Sequence, residues 1–232
     1  RRGKLTVDDE AIVYVGDDLY TGTGASMVIS NSGSAANLWV QNGSTITNSE
    51  NLYLGYTAGF AGAATVTGSG SQVNISNYLK IGEYGSGSLT IENGGVVNTT
   101  DTGNSTRIGY RSGSSGVVTV TGSGSQLNTG FRLYVGQKGN GTLNVEDGAI
   151  VNNNGYVFIG YDSESTSTAT VTGIGSQWNN AYSLYVAYYG DSTLNILDGG
   201  VVNTIYQGYI AREEDSTGIM TVAGNGSQWN IT

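Results

Sequence analysis

The 232-residue sequence predicts an all-β protein, a parallel β-helix of about eight coils, each of 24 to 27 residues and three short strands. Three observations point there. An eight-residue motif recurs four times, a strand marker recurs at half that spacing, and apolar residues between the turns alternate with a period of two. A chain rich in glycine, with 38 Gly and no Pro, and only 12% charged residues, is compositionally unlike an average globular enzyme. Its 38% apolar residues and 16 Tyr give enough material for a core, so disorder is a poor fit.

The recurring motif is "TVTGSGSQ" at 65–72 and 119–126, "TVTGIGSQ" at 170–177 and "TVAGNGSQ" at 221–228. Its central glycines, Gly70, Gly124, Gly175 and Gly226, are 54, 51 and 51 residues apart. A second motif alternates with it: "SLTIENGGVVN" at 88–98, "TLNVEDGAIVN" at 142–152 and "TLNILDGGVVN" at 193–203. The strand marker ends in a small residue at Gly55, Gly82, Gly109, Gly136, Gly160, Ala187 and Ala211, in steps of 27, 27, 27, 24, 27 and 24. Each long repeat therefore holds two related coils. Within a coil, Leu79 and Ile81, then Leu89 and Ile91, then Val96 or Val97 face one way across three strands. A propeller blade needs four strands and roughly 40 residues, more than this half-period supplies. One coil cannot bury its apolar row, whereas coils stacked at about 4.8 Å pair their backbones and bury like against like.

The whole of 1–232 reads as a single β-helix segment, with irregular coils over 1–50 and regular repeats of 51–54 residues over 51–232. "VYVG", ending at Gly16, serves as the first strand marker, and the passage from "ISNSGSAAN" to "LWVQNGSTIT" reads as an indented turn lacking part of a coil. No run approaches the 18 apolar residues of a membrane span, and "RRGKLTVDDE" has no signal-peptide core, so direct membrane insertion of this segment is not expected. The segment reads as a piece of something longer.

With no His and no Cys, the usual serine, cysteine and zinc chemistries lack their residues. Net charge is −9, which disfavours nucleic acid. Paired carboxylates remain as a catalytic alternative: Glu92, Glu146 with Asp147, and Asp198 recur at one turn of alternate coils, about 9.6 Å apart for a 4.8 Å rise. Periodic recurrence favours a turn-forming role over a catalytic one. The acidic loops "YDSES" at 161–165 and "REEDS" at 212–216 match neither an EF-hand nor a calcium nonapeptide and read as a solvated edge. The expectation is a non-catalytic protein without a cofactor or metal site.

One pattern exceeds the needs of a scaffold. The middle residue of each marker strand must face outward, and read coil by coil this column is Tyr14, Tyr53, Lys80, Arg107, Tyr134, Phe158, Tyr185 and Tyr209. Cross-strand packing explains such a row without a ligand. A solvent-facing row of rings equally suits a sugar, another rod or a host protein. Tyr56, Tyr110 and Tyr161, with Tyr84, Tyr188 and Tyr189 on the intervening coils, start loops beside it and would extend it.

The modules "GSGSQWN", "LYVGQKGNGTLNVEDGAIVNN" and "VFIGYDSESTSTATVTG" resemble the passenger region of bacterial autotransporters, the type V secreted adhesins of the self-associating and diffuse-adherence type. The resemblance covers nearly all the chain and implies a right-handed β-helix displayed outside the cell, anchored through an outer-membrane barrel that this chain does not contain. It implies adhesion, aggregation or biofilm formation, with a host-cell surface, a matrix protein, a glycan or another copy of the chain as partner. Two rival readings stand beside it: a polysaccharide-degrading β-helix using the turn carboxylates, and a plain spacer.

Overall fold

The computed structural model describes residues 4–7, 12–15, 19–21, 26–29, 36–48, 50–100 and 103–232, with side chains from residue 26 onward. Among the described residues there are strands and turns but no helix. Every third strand joins the same sheet, giving three parallel sheets of nine strands each. Nine rungs are eight steps, so the chain makes about eight turns of a β-solenoid.

The first sheet collects the strand markers: Lys4–Val7, Ser26–Ile29, Leu52–Leu54, Leu79–Ile81, Ser105–Ile108, Arg132–Val135, Val157–Ile159, Leu184–Val186 and Gly208–Ile210. The second sheet holds the longest strands: Ile12–Val15, Ala36–Val40, Ala61–Thr67, Ser86–Glu92, Ser115–Thr121, Asn140–Glu146, Thr166–Thr172, Asp191–Leu197 and Thr217–Ala223. The third comprises Leu19–Thr21, Thr45–Asn48, Gln72–Ile75, Val96–Thr99, Gln126–Thr129, Ile150–Asn153, Gln177–Asn180, Val201–Thr204 and Gln228–Ile231.

Two expectations for the N-terminal coils are corrected. Ile12–Val15 belongs to the second sheet, where Tyr14 is the Cα partner of Trp39, so Tyr14 is not in the marker column. The marker strand of that coil is Lys4–Val7, and in the next coil Val28 stands opposite Tyr53. Strands of both sheets alternate and end near small residues, so "VYVG" alone does not carry its own phase. The coil read as indented is also complete in strands, because Ser26–Ile29, Ala36–Val40 and Thr45–Asn48 supply one strand to each sheet in register.

Alternation places one apolar column of each sheet in the core. Leu54, Ile81, Ile108, Val135, Ile159 and Val186 of the first sheet face Val66, Ile91, Val120, Val145, Val171 and Ile196 of the second, all fully buried. Each contributes roughly 1.5–3 kcal/mol by leaving water. The third sheet closes the triangle with Val73, Val97, Leu127, Val151, Trp178 and Val202.

The small residue after each marker strand has a steric cause. Gly55 has φ 69°, and a Cβ there would stand 2.0 Å from the carbonyl oxygen of Ser86 on the next coil. Left-handed backbone and coil contact together select glycine, and from Gly55 to Ala211 the departures from it are Ala187 and Ala211, at φ 62° and 53°.

The two-coil period comes from the turn between the second and third sheets, which has two alternating forms. One is an Asn/Asp-Gly pair, with Asn93, Asp147 and Asp198 at φ 53°, 55° and 49°. The other is the Gly-X-Gly of the recurring motif. The serine that follows in this motif is buried at Ser71, Ser125 and Ser176 and half-buried at Ser227, and its Oγ accepts a hydrogen bond from the glycine N–H of the Asn/Asp-Gly turn one coil earlier. These pairs are Gly43 to Ser71, Gly94 to Ser125, Gly148 to Ser176 and Gly199 to Ser227, each at 3.0 Å. In the Asn/Asp-Gly coils the residue after the turn is Ser44, Gly95, Ala149 or Gly200, so most have no hydroxyl to offer. Each form of turn needs the other beside it.

Candidate functional site

The first sheet carries the aromatic column in register: Tyr53, Lys80, Arg107, Tyr134, Phe158, Tyr185 and Tyr209. Four rings stack along the rod axis. Centroids are 5.1 Å apart for Tyr134 and Phe158, 4.9 Å for Phe158 and Tyr185, and 4.7 Å for Tyr185 and Tyr209, with planes within 14° of parallel. A rung spacing near 4.8 Å enforces this geometry whenever consecutive rungs carry flat side chains.

The two cations continue the stack rather than interrupt it. Lys80 Nζ lies 5.2 Å from the Tyr53 ring centre, and the Arg107 guanidinium lies 6.0 Å from that of Tyr134. Both reach Tyr110, at 4.7 and 4.4 Å, and Arg111 packs on the same ring at 4.4 Å. Cation–π contacts of this kind strengthen as they lose water. The counter-charge is Glu83, only 4% exposed, with Oε2 at 2.9 Å from Lys80 Nζ and Oε1 at 3.7 Å from Arg111 Nε. Neither contact has hydrogen-bond alignment at Glu83 Oε2 or Arg111 Nε, so the cluster is held by charge and ring contact.

The column points away from the core and is partly covered: Lys80 and Tyr134 are buried, and the other five members are half-buried. Tyr134 is 5% exposed and Lys80 9%. A second layer covers them: the residue after each small turn residue folds back over the strand, so that Tyr56 meets Tyr53 edge-on at 5.2 Å, Tyr161 meets Tyr134 and Phe158, and Tyr188 meets Phe158 and Tyr185. Burial pushes the phenols of Tyr53, Tyr185 and Tyr188 above the usual tyrosine range, with the Glu83 carboxylate adding to the effect at Tyr53 and Glu213 at Tyr188.

The exposed aromatic surface lies on the rims. Tyr56, Tyr84 and Tyr189 stand on the loop side, and Tyr182 and Tyr206 on the corner with the third sheet, the last 61% exposed. The loop tyrosines were legible in sequence. The corner row of Phe131, Tyr182 and Tyr206, with Tyr78 and Tyr156 beside it, was not, because it falls before the strand marker in a segment without a repeated motif. Tyr182 and Tyr206 stack at 5.4 Å with planes 4° apart, and Tyr156 leans on Tyr182 at 5.2 Å.

The third sheet carries a second outward column that sequence reasoning missed. Asn74, Asn98, Asn128, Asn152, Asn179, Asn203 and Asn230 occupy one position on consecutive coils. Each Nδ2 donates to the Oδ1 of the preceding coil's Asn, in six bonds of 2.8–2.9 Å. The signal was an Asn at a fixed place in every third strand, in "VNI", "VNT", "LNT", "VNN", "WNN", "VNT" and "WNI".

The turn carboxylates act locally. Asp147 and Asp198 hold the left-handed turn position that Asn93 holds elsewhere, and Asp147 Oδ2 accepts from Thr121 Oγ1 at 3.0 Å. Glu92 and Glu146 end second-sheet strands two rungs apart, with Thr121 between them in the column. In the acidic loops, Asp162 stands 3.9 Å from Lys138 and Glu213 3.2 Å from Arg212. Among the described residues no three His, Cys, Asp or Glu side chains come together as a metal site would require.

Fold and surface together define a parallel β-solenoid whose variable chemistry is written on its outer columns. Two curated proteins are similar to it. The uncharacterized lipoprotein YdeK of Escherichia coli (strain K12) is 33% identical over 186 residues, 75% of this chain and 13% of that protein. The adhesin BmaC autotransporter of Brucella suis biovar 1 (strain 1330) is 35% identical over 130 residues, 52% of this chain and 4% of that protein. The chain thus spans a small part of both. No family model matches it, and no solved structure does.

Proposed function

We propose that the chain is a segment of a non-catalytic adhesive rod displayed outside a bacterial cell and held there by parts of a longer protein. The observation that carries this reading is the aromatic face: stacked rings under a second layer of tyrosines, with exposed rings along both rims. Rigid aromatic side chains lose little entropy on contact, and an exposed row of them suits weak contacts repeated along a surface. Many such contacts give avidity without a deep pocket. The similarity to an autotransporter adhesin supports the same class and an outer-surface location. Partners of this reading are a host-cell surface, a matrix protein, a glycan or a second copy of the chain.

Bacteria displaying the segment from a heterologous barrel are expected to clump or to attach to epithelial cells or immobilised matrix. Replacing Tyr56, Tyr84 and Tyr189 together by Ser should reduce attachment while leaving surface display unchanged. Equal attachment by the parent and the triple variant would remove the aromatic face from the account, and failure of the parent to adhere at all would remove the adhesive function.

The rival reading is a plain spacer. A spacer would tolerate replacement by another solenoid of equal length. The adhesive rod would not.

A further inference from the structure

We propose that the corner between the third and first sheets, at Phe131, Asn154, Tyr156, Asn179, Tyr182 and Asn203, is a binding cleft for a neutral oligosaccharide. The proposal rests on the adhesive reading above and names the ligand class for it.

Two adjoining hollows run along this corner. One, of about 490 Å³, is lined by Gly130, Phe131, Asn154, Gly155, Tyr156 and Tyr182. The other, of about 390 Å³, continues from Asn154 past the amides of Asn152, Asn179 and Asn203 to Ile205. Both fall in the size range of small-ligand sites.

The first hollow is a gap in the corner row of rings. Reading that row by coil gives Phe131, Gly155, Tyr182 and Tyr206. Gly155 admits no side chain, since a Cβ would stand 2.0 Å from the carbonyl oxygen of Phe131. Phe131 and Tyr182 therefore flank an open rung, two coil steps or roughly 9.6 Å apart. Tyr156 forms the adjoining wall, tilted 38° against Tyr182. Aromatic walls around an open rung offer stacking surface for the apolar face of a pyranose.

The second hollow supplies hydrogen bonds. An Asn amide has two N–H donors and an oxygen with two lone pairs, and the ladder uses one of each in Asn152, Asn179 and Asn203. The remainder faces the hollow at the spacing of the rungs, an array of alternating donors and acceptors that sugar hydroxyls can satisfy in either sense.

Neutrality follows from the lining. No residue lining either hollow is charged. The chain as a whole carries −9, which opposes an anionic polymer, and the cation beside the cleft, Arg132, lies against the Phe131 ring at 4.9 Å.

Calorimetric titration of the 232-residue protein with cellohexaose, maltohexaose and mannohexaose, and with hexagalacturonate as the charged comparison, tests the assignment. At least one neutral hexaose is expected to bind, with Phe131→Ala and Tyr182→Ala each weakening it tenfold or more and Thr90→Ala, on the second sheet, leaving it unchanged. Circular dichroism of each variant separates lost binding from lost folding, and Tyr182→Phe, which keeps the ring, should retain binding. The cleft is overturned if no neutral hexaose binds, if only hexagalacturonate binds, or if binding survives both ring deletions. Adhesion of displaying cells that persists without any sugar binding would sink the cleft and leave the adhesive rod standing. Sugar binding that both ring deletions abolish, in cells that never adhere, would do the reverse.

Discussion

The aromatic column of the first sheet and the asparagine row of the third are built by the same rule and differ in what covers them. Both place one outward residue on each coil, and both repeat at the rung spacing. Yet the column is buried at Lys80 and Tyr134 and half-buried elsewhere, whereas the asparagines are half-buried along their whole length. What differs is the connection that follows each strand. After a first-sheet strand the chain turns at a left-handed Gly or Ala and lays Tyr56, Tyr161 or Tyr188 back over the column. The third-sheet row has no such cover, and its amides are linked to one another instead. In a solenoid, alternation decides which residues leave the core, and the loops decide which of those meet water.

The largest expected effect probes the covered column. Tyr134→Ser removes a ring packed against Phe158, Tyr161 and Arg107, and should lower stability by about 3 kcal/mol, read as a shift of the urea midpoint. Glu83→Gln should cost nearly as much, about 2–3 kcal/mol, because Lys80 and its neighbouring arginines would keep their charges with the buried counter-charge gone. Asn152→Ala should cost about 1 kcal/mol, since water can reach the amides left on either side. A larger loss from Asn152→Ala than from Tyr134→Ser would reverse the comparison. The smallest effect, within about 0.5 kcal/mol, is expected for Tyr189→Ser on the exposed rim, where adhesion rather than stability should change.

Alkaline pH tests the cover itself. The phenols of Tyr53, Tyr185 and Tyr188 are raised above the ordinary value of 10.0, so above that pH the unfolded chain gives up these protons more readily than the folded one. Their contribution is complete below the ordinary tyrosine value and is lost as pH rises toward the folded values. Phenolate absorbance should show a late-titrating fraction in the folded protein that Tyr188→Phe reduces. A titration identical to that of the denatured chain would mean that the cover is open.

The architecture was legible because physical constraints repeat with the coil. The glycine after "LYL", "LKI" and "LYV" reports a left-handed turn in contact with the next rung, and alternation in "SLTIE" reports a strand with one buried face. Phase was harder. Tyr14 sits in a strand that looks like a marker but pairs in the second sheet, and only the neighbouring coils decide that. The column from Tyr53 to Tyr209 was legible as outward-facing, but not as covered, because the sequence shows Tyr56 or Tyr188 beginning a loop without showing which way the loop folds. The corner notch at Gly155 was invisible for a related reason: it is defined by rings on the coils before and after it, far away along the chain.

The interlock of the two turn forms makes the pair of coils, and not the single coil, the unit in which such a rod can be lengthened or shortened. Removing a coil of the Gly-X-Gly form would set two Asn/Asp-Gly turns side by side, with a glycine N–H facing a neighbour such as Gly95 or Ala149 that has no hydroxyl. Removing about 51 residues restores the alternation at the splice. A gene for such a rod would then tolerate duplications and deletions in steps of two turns, near 10 Å of added or lost reach each, while edits of one turn would leave a seam.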